Sequence, residues 1–358
     1  MKDDGMMKKT AVLAAIFAAV SLTVMLQRAG TRNVIIADAA QAVVQDNGQQ
    51  HGKTRGTGEF ALTLKSPATD AVQDTLVIPL PENVDSDDVV IENHYLTRQL
   101  WVYIRSHDSR YYETNPLITG LKQIQGGKCI LQGTNDRVCL HIQLDGLYEY
   151  QSELSEENVT VRFQSPHEAY DKVVVIDPYG GDADQGNTGN GLLEKDVCLQ
   201  IARKLEKEID SADVKVYFTR LDDSDPSTQE RCSLITDAKA DMVIGLCADA
   251  VNPSVSGMTA YYNNIYYIRG YGNADMAAQL ERDCVYATKS NILGIRAAGD
   301  RYETLKYAEM PSAYISVGNL ANVQDAENLA KEEYLEKIAQ GILQAVNYGG
   351  QVQNKSQE

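Results

Sequence analysis

Glu194 and Cys198 stand four residues apart, a spacing that places two side chains on one face of a helix. Cys247 directly follows the apolar run 242–246. A carboxylate and two thiolates that converged would form an unusual metal site. Each residue also has a plainer role. Glu194 opens a helix, where a carboxylate stabilises the helix dipole by ~0.3–1 kcal/mol without any metal. Cys198 falls on the same apolar stripe as Val197 and Ile201, and buried cysteines usually pack as small hydrophobes; Cys247, at a strand end, reads the same way. Ser316 has no histidine near it in sequence to make it a nucleophile. The last histidine of the chain is His167, so no imidazole is available beyond it. The six cysteines, Cys129, Cys139, Cys198, Cys232, Cys247 and Cys284, show no CxxC pair and no zinc-finger spacing.

The elements that must position these residues can be read from hydrophobic period. From residue 58 to 165 the period is two. Leu100, Val102 and Ile104 alternate with Trp101, Tyr103 and Arg105, and Val138, Leu140, Ile142 and Leu144 repeat the pattern. Short strands at this spacing predict a small antiparallel β-sandwich. Cys129 and Cys139 flank its turn 133–136, where a disulfide is permitted outside the cytoplasm if their Cβ atoms lie within ~3.5–4.5 Å, and the sequence leaves it open. From residue 171 to 348 strands alternate with helices. Apolar strands at 173–176, 214–219, 242–246 and 313–317 are separated by helices near 194–209, 226–240 and 273–290, and a helix at 325–347 follows the last strand. That alternation predicts an α/β domain with a mainly parallel sheet flanked by helices. In such sheets the ligand crevice lies beyond the carboxyl ends of the strands. Residues after Ile176, Leu246 and Ile315 should therefore gather with the start of the first helix. Residues 33–57 read as a linker and 349–358 as a tail.

Charge narrows the partners. The chain carries a formal net charge of −17 over 358 residues, which argues against nucleic acid, whose affinity comes mainly from Lys and Arg on phosphates. Residues 1–32 are set apart. Lys8 and Lys9 precede the uncharged run 10–26, and Arg28 and Arg32 follow it. At 17 residues the run is at the short limit for a spanning helix, and basic residues ahead of it favour a cytoplasmic N-terminus. A cleaved signal could end at the small-x-small triplet Ala37-Asp38-Ala39. That triplet lies 11 residues beyond the run with two Arg between, so an uncleaved membrane anchor is favoured. Either reading puts the bulk of the chain outside the cytoplasmic membrane: anchored and single-pass, or secreted if the signal is removed.

Five segments of the second domain carry a resemblance. They are Val175-Ile176-Asp177-Pro178-Tyr179-Gly180-Gly181-Asp182; Leu193-Glu194-Lys195-Asp196-Val197; Phe218-Thr219-Arg220 with Gln229-Glu230-Arg231; Asp241 to Ala250; and Met310-Pro311-Ser312-Ala313 through Val317-Gly318-Asn319-Leu320-Ala321-Asn322. In this order they resemble the zinc-dependent N-acetylmuramoyl-L-alanine amidases, which cleave the MurNAc–L-Ala amide of peptidoglycan. The β-rich domain ahead resembles, by pattern alone, the AMIN type that targets cell-wall material. The resemblance implies a zinc ion held by His, Glu and His, with a second Glu activating water. Here Glu194 stands at the Glu ligand position. Tyr179 and Cys247 stand at the two His positions, Ser316 stands at the catalytic Glu position, and the loop after the first strand is one residue shorter.

The expectation is a membrane-tethered, catalytically degenerate amidase-like protein that binds peptidoglycan or a cell-wall or division protein. No cofactor is expected, with Tyr179 filling the space a metal would leave. An active amidase with a rebuilt metal site is one alternative; a scaffold that binds through its β-domain is another. Residues 172–348 hold 27 Asp and Glu against 17 Lys and Arg, so a protein partner is as well supported as an anionic stem peptide.

Overall fold

The structure is a computed structural model that describes residues 34, 36–39, 58–69, 73–106, 108–132, 137–209 and 213–357. The run 10–26 and its basic flanks lie outside the described residues. Among the described residues, no helix is long and apolar enough to cross a membrane.

The first domain is the β-sandwich that the period-two pattern predicts. One sheet runs β1 (Ile36–Asp38), β5 (Val89–His94), β6 (Gln99–Arg105), β9 (Arg137–Leu144), β8 (Ile124–Gln132), β2 (Glu59–Ala61). The other runs β10 (Glu149–Leu154), β11 (Asn158–Gln164), β4 (Thr75–Pro79), β7 (Leu117–Thr119), β3 (Leu64–Lys65). Alternate residues of facing strands are fully buried: Leu100, Val102 and Ile104 against Leu76, Ile78, Val159 and Val161. Short helical turns α1 (Tyr111–Thr114) and α2 (Pro166–Ala169) complete it.

One expectation for this region is corrected, and one pairing that the sequence permits is absent. Part of the expected linker 33–57 is strand β1, paired in parallel with β5. Val34-Ile35-Ile36 is a β-branched run of the kind strands favour, and its nearness to the N-terminal segment disguised it. The Cys129–Cys139 disulfide does not form; both thiols are free. Cys129 stands opposite Leu140 and Cys139 opposite Ile130. The two cysteines are thus one residue out of register and point to opposite faces of the sheet.

The second domain is built on one mixed sheet in the order β15 (Val214–Phe218), β12 (Lys172–Pro178), β16 (Met242–Asp249), β19 (Ser312–Asn319), β17 (Thr259–Tyr262), β18 (Arg296–Ala297). The first four strands are parallel, and β17 runs antiparallel to β19. All seven residues of β12 and all eight of β16 are buried, as befits strands covered on both faces. A small hairpin, β13 (Thr188–Gly189) and β14 (Leu192–Leu193), leads into α3 (Glu194–Glu208). That helix buries Val197, Cys198, Ile201, Ala202 and Leu205. Helix α4 (Thr228–Asp237) starts at a reciprocal cap between Ser227 and Glu230, and α5 (Asn273–Thr288) follows. The expected final helix is two: α6 (Val323–Leu329) and α7 (Glu332–Gln357). The break falls at Ala330-Lys331, and α7 continues through the expected tail despite Gly349-Gly350, since no proline follows to stop it. The domains touch: Tyr95 and Leu147 bury into the α/β core, and Arg98 pairs with Asp237 at 2.6 Å.

Candidate functional site

The carboxyl ends of β12, β16 and β19 meet the start of α3, as the alternation of strands and helices requires. Glu194 is 2% exposed, and both its oxygens are occupied by backbone. Asn187 N–H donates to Oε2 at 2.6 Å and Ala248 N–H to Oε1 at 2.8 Å. Gly186 (φ 63°) lets the loop pass this carboxylate; a Cβ there would lie 2.5 Å from Oε2. Burial raises the Glu194 pKa while those amide bonds lower it, and the net direction is up. The carboxylate acts as a brace between the loop before α3 and the end of β16.

Cys247 and Ser316 are direct neighbours across β16 and β19, next to an irregularity between Cys247 and Asp249. Such breaks in register re-aim side chains at strand ends. Ser316 Oγ accepts from Asp249 N–H at 3.0 Å, so it too is a backbone tie. Cys198 lies in the hydrophobic core beside Val197 and Ile201.

The residue that occupies this end of the sheet is one the sequence did not single out. Tyr302 is 3% exposed and donates its hydroxyl to Cys247 Sγ at 3.0 Å. Its ring lies flat on Tyr314, with centroids 4.0 Å apart and planes 4° apart. Tyr179, expected to fill this space, is half-buried and meets the Tyr302 ring edge-on at 6.2 Å. The segment carrying Tyr302 is pinned along its length. Arg301 bonds Asp249 at 2.5 Å and the Tyr261 hydroxyl at 2.8 Å. Thr304 donates to Asp177 Oδ2 at 3.1 Å, and Asn263 Nδ2 donates to the carbonyls of Leu305 and Ala308 at 2.8 and 3.0 Å. Only the tyrosine richness of residues 261–314 hinted at this packing, because a strap held by single side chains has no hydrophobic period.

Beneath the strap sits a buried ion pair. Asp177 is fully buried; Arg231 Nη1 meets its Oδ1 at 2.6 Å, and Thr219 Oγ1 donates to the same oxygen at 2.6 Å. The Tyr314 hydroxyl donates to Oδ2. Gly245 permits this reach, since a Cβ there would lie 2.3 Å from the Tyr314 ring. Burial opposes the charge on Asp177, but Arg231 and the hydroxyls outweigh it, so its pKa falls below the usual value. Above the pair opens a cleft of about 550 Å³, bordered by Asp184, Asp225, Asp300, Glu303 and Lys306.

These residues do not fit a zinc ion. A metal needs deprotonated ligands with free lone pairs. Cys247 Sγ already accepts the Tyr302 hydroxyl at 3.0 Å, and Cys198 is packed in the hydrophobic core. Each Glu194 oxygen accepts one backbone amide, which holds the carboxylate to the loop before α3 and to the end of β16. Among the described residues, no group of three His, Cys, Asp or Glu is placed to hold a metal. The convergence of Glu194, Cys198 and Cys247 on one ion is not found.

The bracing role of Glu194 predicts a stability effect. Glu194→Ala strands two buried amides, each worth ~1–3 kcal/mol. Urea denaturation should show a loss of about 2–5 kcal/mol, and an unchanged midpoint would refute the brace.

Comparison with known proteins follows the same boundaries. Residues 174–348 match the family model for N-acetylmuramoyl-L-alanine amidase. The chain is 30% identical over 172 residues to N-acetylmuramoyl-L-alanine amidase LytC of Bacillus subtilis, covering 48% of this chain and 34% of that protein. It is 25% identical over 224 residues to N-acetylmuramoyl-L-alanine amidase CwlM of Mycobacterium tuberculosis, covering 59% of this chain and 54% of that one. The match therefore spans about a third of the first relative and about half of the second. The catalytic domain of the amidase CwlV from Bacillus (Paenibacillus) polymyxa var. colistinus aligns at 26% identity with a TM-score of 0.46, over 51% of this chain and 99% of that one.

Proposed function

Residues 174–348 belong to the N-acetylmuramoyl-L-alanine amidase family, a cell-wall amidase family that acts on peptidoglycan, and we propose that in this chain the domain binds rather than hydrolyses. The observation that carries the proposal is the Tyr302 hydroxyl on Cys247, next to a Glu194 carboxylate held by two backbone amides. Without a metal the attacking water keeps a pKa of ~15.7 instead of ~7, and Ser316 cannot act as a carboxylate base.

The ligand in this reading is peptidoglycan or a cell-wall or division protein, met outside the cytoplasmic membrane. The run 10–26 is the anchor. The β-sandwich, similar in pattern to AMIN domains, supplies a second surface. The excess of acidic residues over 172–348 works against tight binding of an anionic stem peptide, so a protein partner is as well supported for the cleft.

Zinc content tests this reading. Protein spanning 31–358, purified in zinc-containing buffer and desalted, should hold well under one zinc per chain by elemental analysis. One zinc per chain, lost in Glu194→Ala, would replace this reading with a rebuilt metal site.

A further inference from the structure

The triplet Ala37-Asp38-Ala39 has the form of a processing site, but the fold puts it to another use. Ile36, Ala37 and Asp38 pair with Ile91, Glu92 and Asn93 of β5, and Ala39 N–H donates to Asn93 O at 2.9 Å. Val34, just ahead, is 6% exposed in the sandwich core, and its carbonyl accepts from Ser152 Oγ at 2.6 Å.

Asp38 reaches both domains. Its Oδ1 accepts from Asn93 Nδ2 in the sandwich at 3.2 Å. Its Oδ2 accepts from Lys215 Nζ at 2.6 Å, on β15 at the edge of the α/β sheet. Lys215 and Glu149 are each only 9% exposed and pair at 2.9 Å, and the Tyr217 hydroxyl donates to Glu149. Beside this network the Tyr95 hydroxyl donates to Phe218 O at 3.0 Å. A chain cut after Ala39 would lose the edge strand, uncover the core at Val34, leave Ser152 without its acceptor and halve the charge facing a buried Lys215.

We propose that Val34 and Ile36–Ala39 are a clasp joining the two domains and are kept in the mature protein, so that no cut at Ala39 separates the run 10–26 from the folded body. This rests on reading that run as an anchor. Only residues 27–33 separate the run from Val34, so the gap spans at most about 30 Å. The β1 edge is then tethered within that reach of the bilayer. The partner that fits is one embedded in or tethered to the same membrane.

The full chain, produced in a bacterial host that processes signals, is recovered from the membrane fraction, and its N-terminus is read by intact mass. The expected N-terminus lies ahead of residue 10, and the protein survives an alkaline wash in the membrane pellet. An N-terminus at Ala40 overturns the clasp. A cut within 27–33 ends the anchor reading but leaves the clasp standing. The clasp is tested separately by Asp38→Ala, Lys215→Ala and the double variant in protein spanning 31–358. Asp38→Ala should lower the thermal midpoint by about 5 °C, and the double variant should fall short of the sum of the singles. Full stability of Asp38→Ala, or strict additivity, overturns the clasp even if the N-terminus is intact.

Discussion

Tyr179→His, Cys247→His and Ser316→Glu, made one at a time, leave the domain without amidase activity, and so does the triple variant. A lone histidine at 247 meets the Tyr302 hydroxyl and a Glu194 whose oxygens serve Asn187 and Ala248. A lone glutamate at 316 has no metal-bound water to deprotonate, so the ~10²–10⁴-fold that a general base supplies is not realised. Parts of one machine act as a unit, and restoring any single part recovers nothing. The triple change supplies ligands and base, yet the Tyr302 ring still lies against residue 247, stacked on Tyr314. Tyr302→Gly added to the three is therefore the smallest set able to bind zinc. Zinc titration followed by mass spectrometry of peptides released from purified peptidoglycan reads both steps. Cleavage by any single variant would contradict the account.

Asp177→Ala removes one partner of a buried ion pair and should cost about 3–5 kcal/mol, because Arg231 is left charged and only 7% exposed. For a domain of this size that corresponds to a fall in thermal midpoint of about 6–20 °C. Thr304 and Tyr314 also lose the Asp177 carboxylate and keep only the bond to each other, so the strap carrying Tyr302 should loosen, and Cys247 should become reactive to thiol reagents under native conditions. Asp177→Leu with Arg231→Met should recover much of the stability, since no buried charge remains. The pH dependence has a definite sign. The Asp177 pKa in the fold lies below its ordinary 3.8. Its contribution is therefore present above about pH 3.8 and is lost as pH falls through the lower, folded value. Acid unfolding of the native chain should show a component there that Asp177→Ala lacks. A loss under about 1 kcal/mol would mean the pair does not hold the strap.

What the sequence made legible follows from how each feature is encoded. Period two in 100–104 and 138–144, and the alternation of apolar strands with helices after 171, are repeated signals, and both domains were readable from them. The gathering of Glu194, Cys247 and Ser316 at one end of the sheet was readable too, because parallel topology forces strand ends together. Tyr302 was not readable. Its place is set by one stacking partner, one thiol and a pinned segment, and none of these recurs along the chain. Asp177–Arg231 was hidden for a similar reason: 54 residues separate the partners, and only the fold brings them to 2.6 Å. Strand β1 was overlooked because a β-branched run beside a membrane-like segment reads as part of that segment. The Cys129–Cys139 pairing failed on a single residue of register, which sequence spacing across a turn does not determine.

The central claim is that the domain keeps the amidase fold without its chemistry, and one assay tests it most directly. Protein spanning 31–358 is incubated with purified peptidoglycan and excess zinc, and soluble products are analysed by mass spectrometry. The account predicts no stem peptides above the level of a no-protein control. Zinc-dependent release of stem peptides by the unaltered chain, abolished by Glu194→Ala, would contradict it.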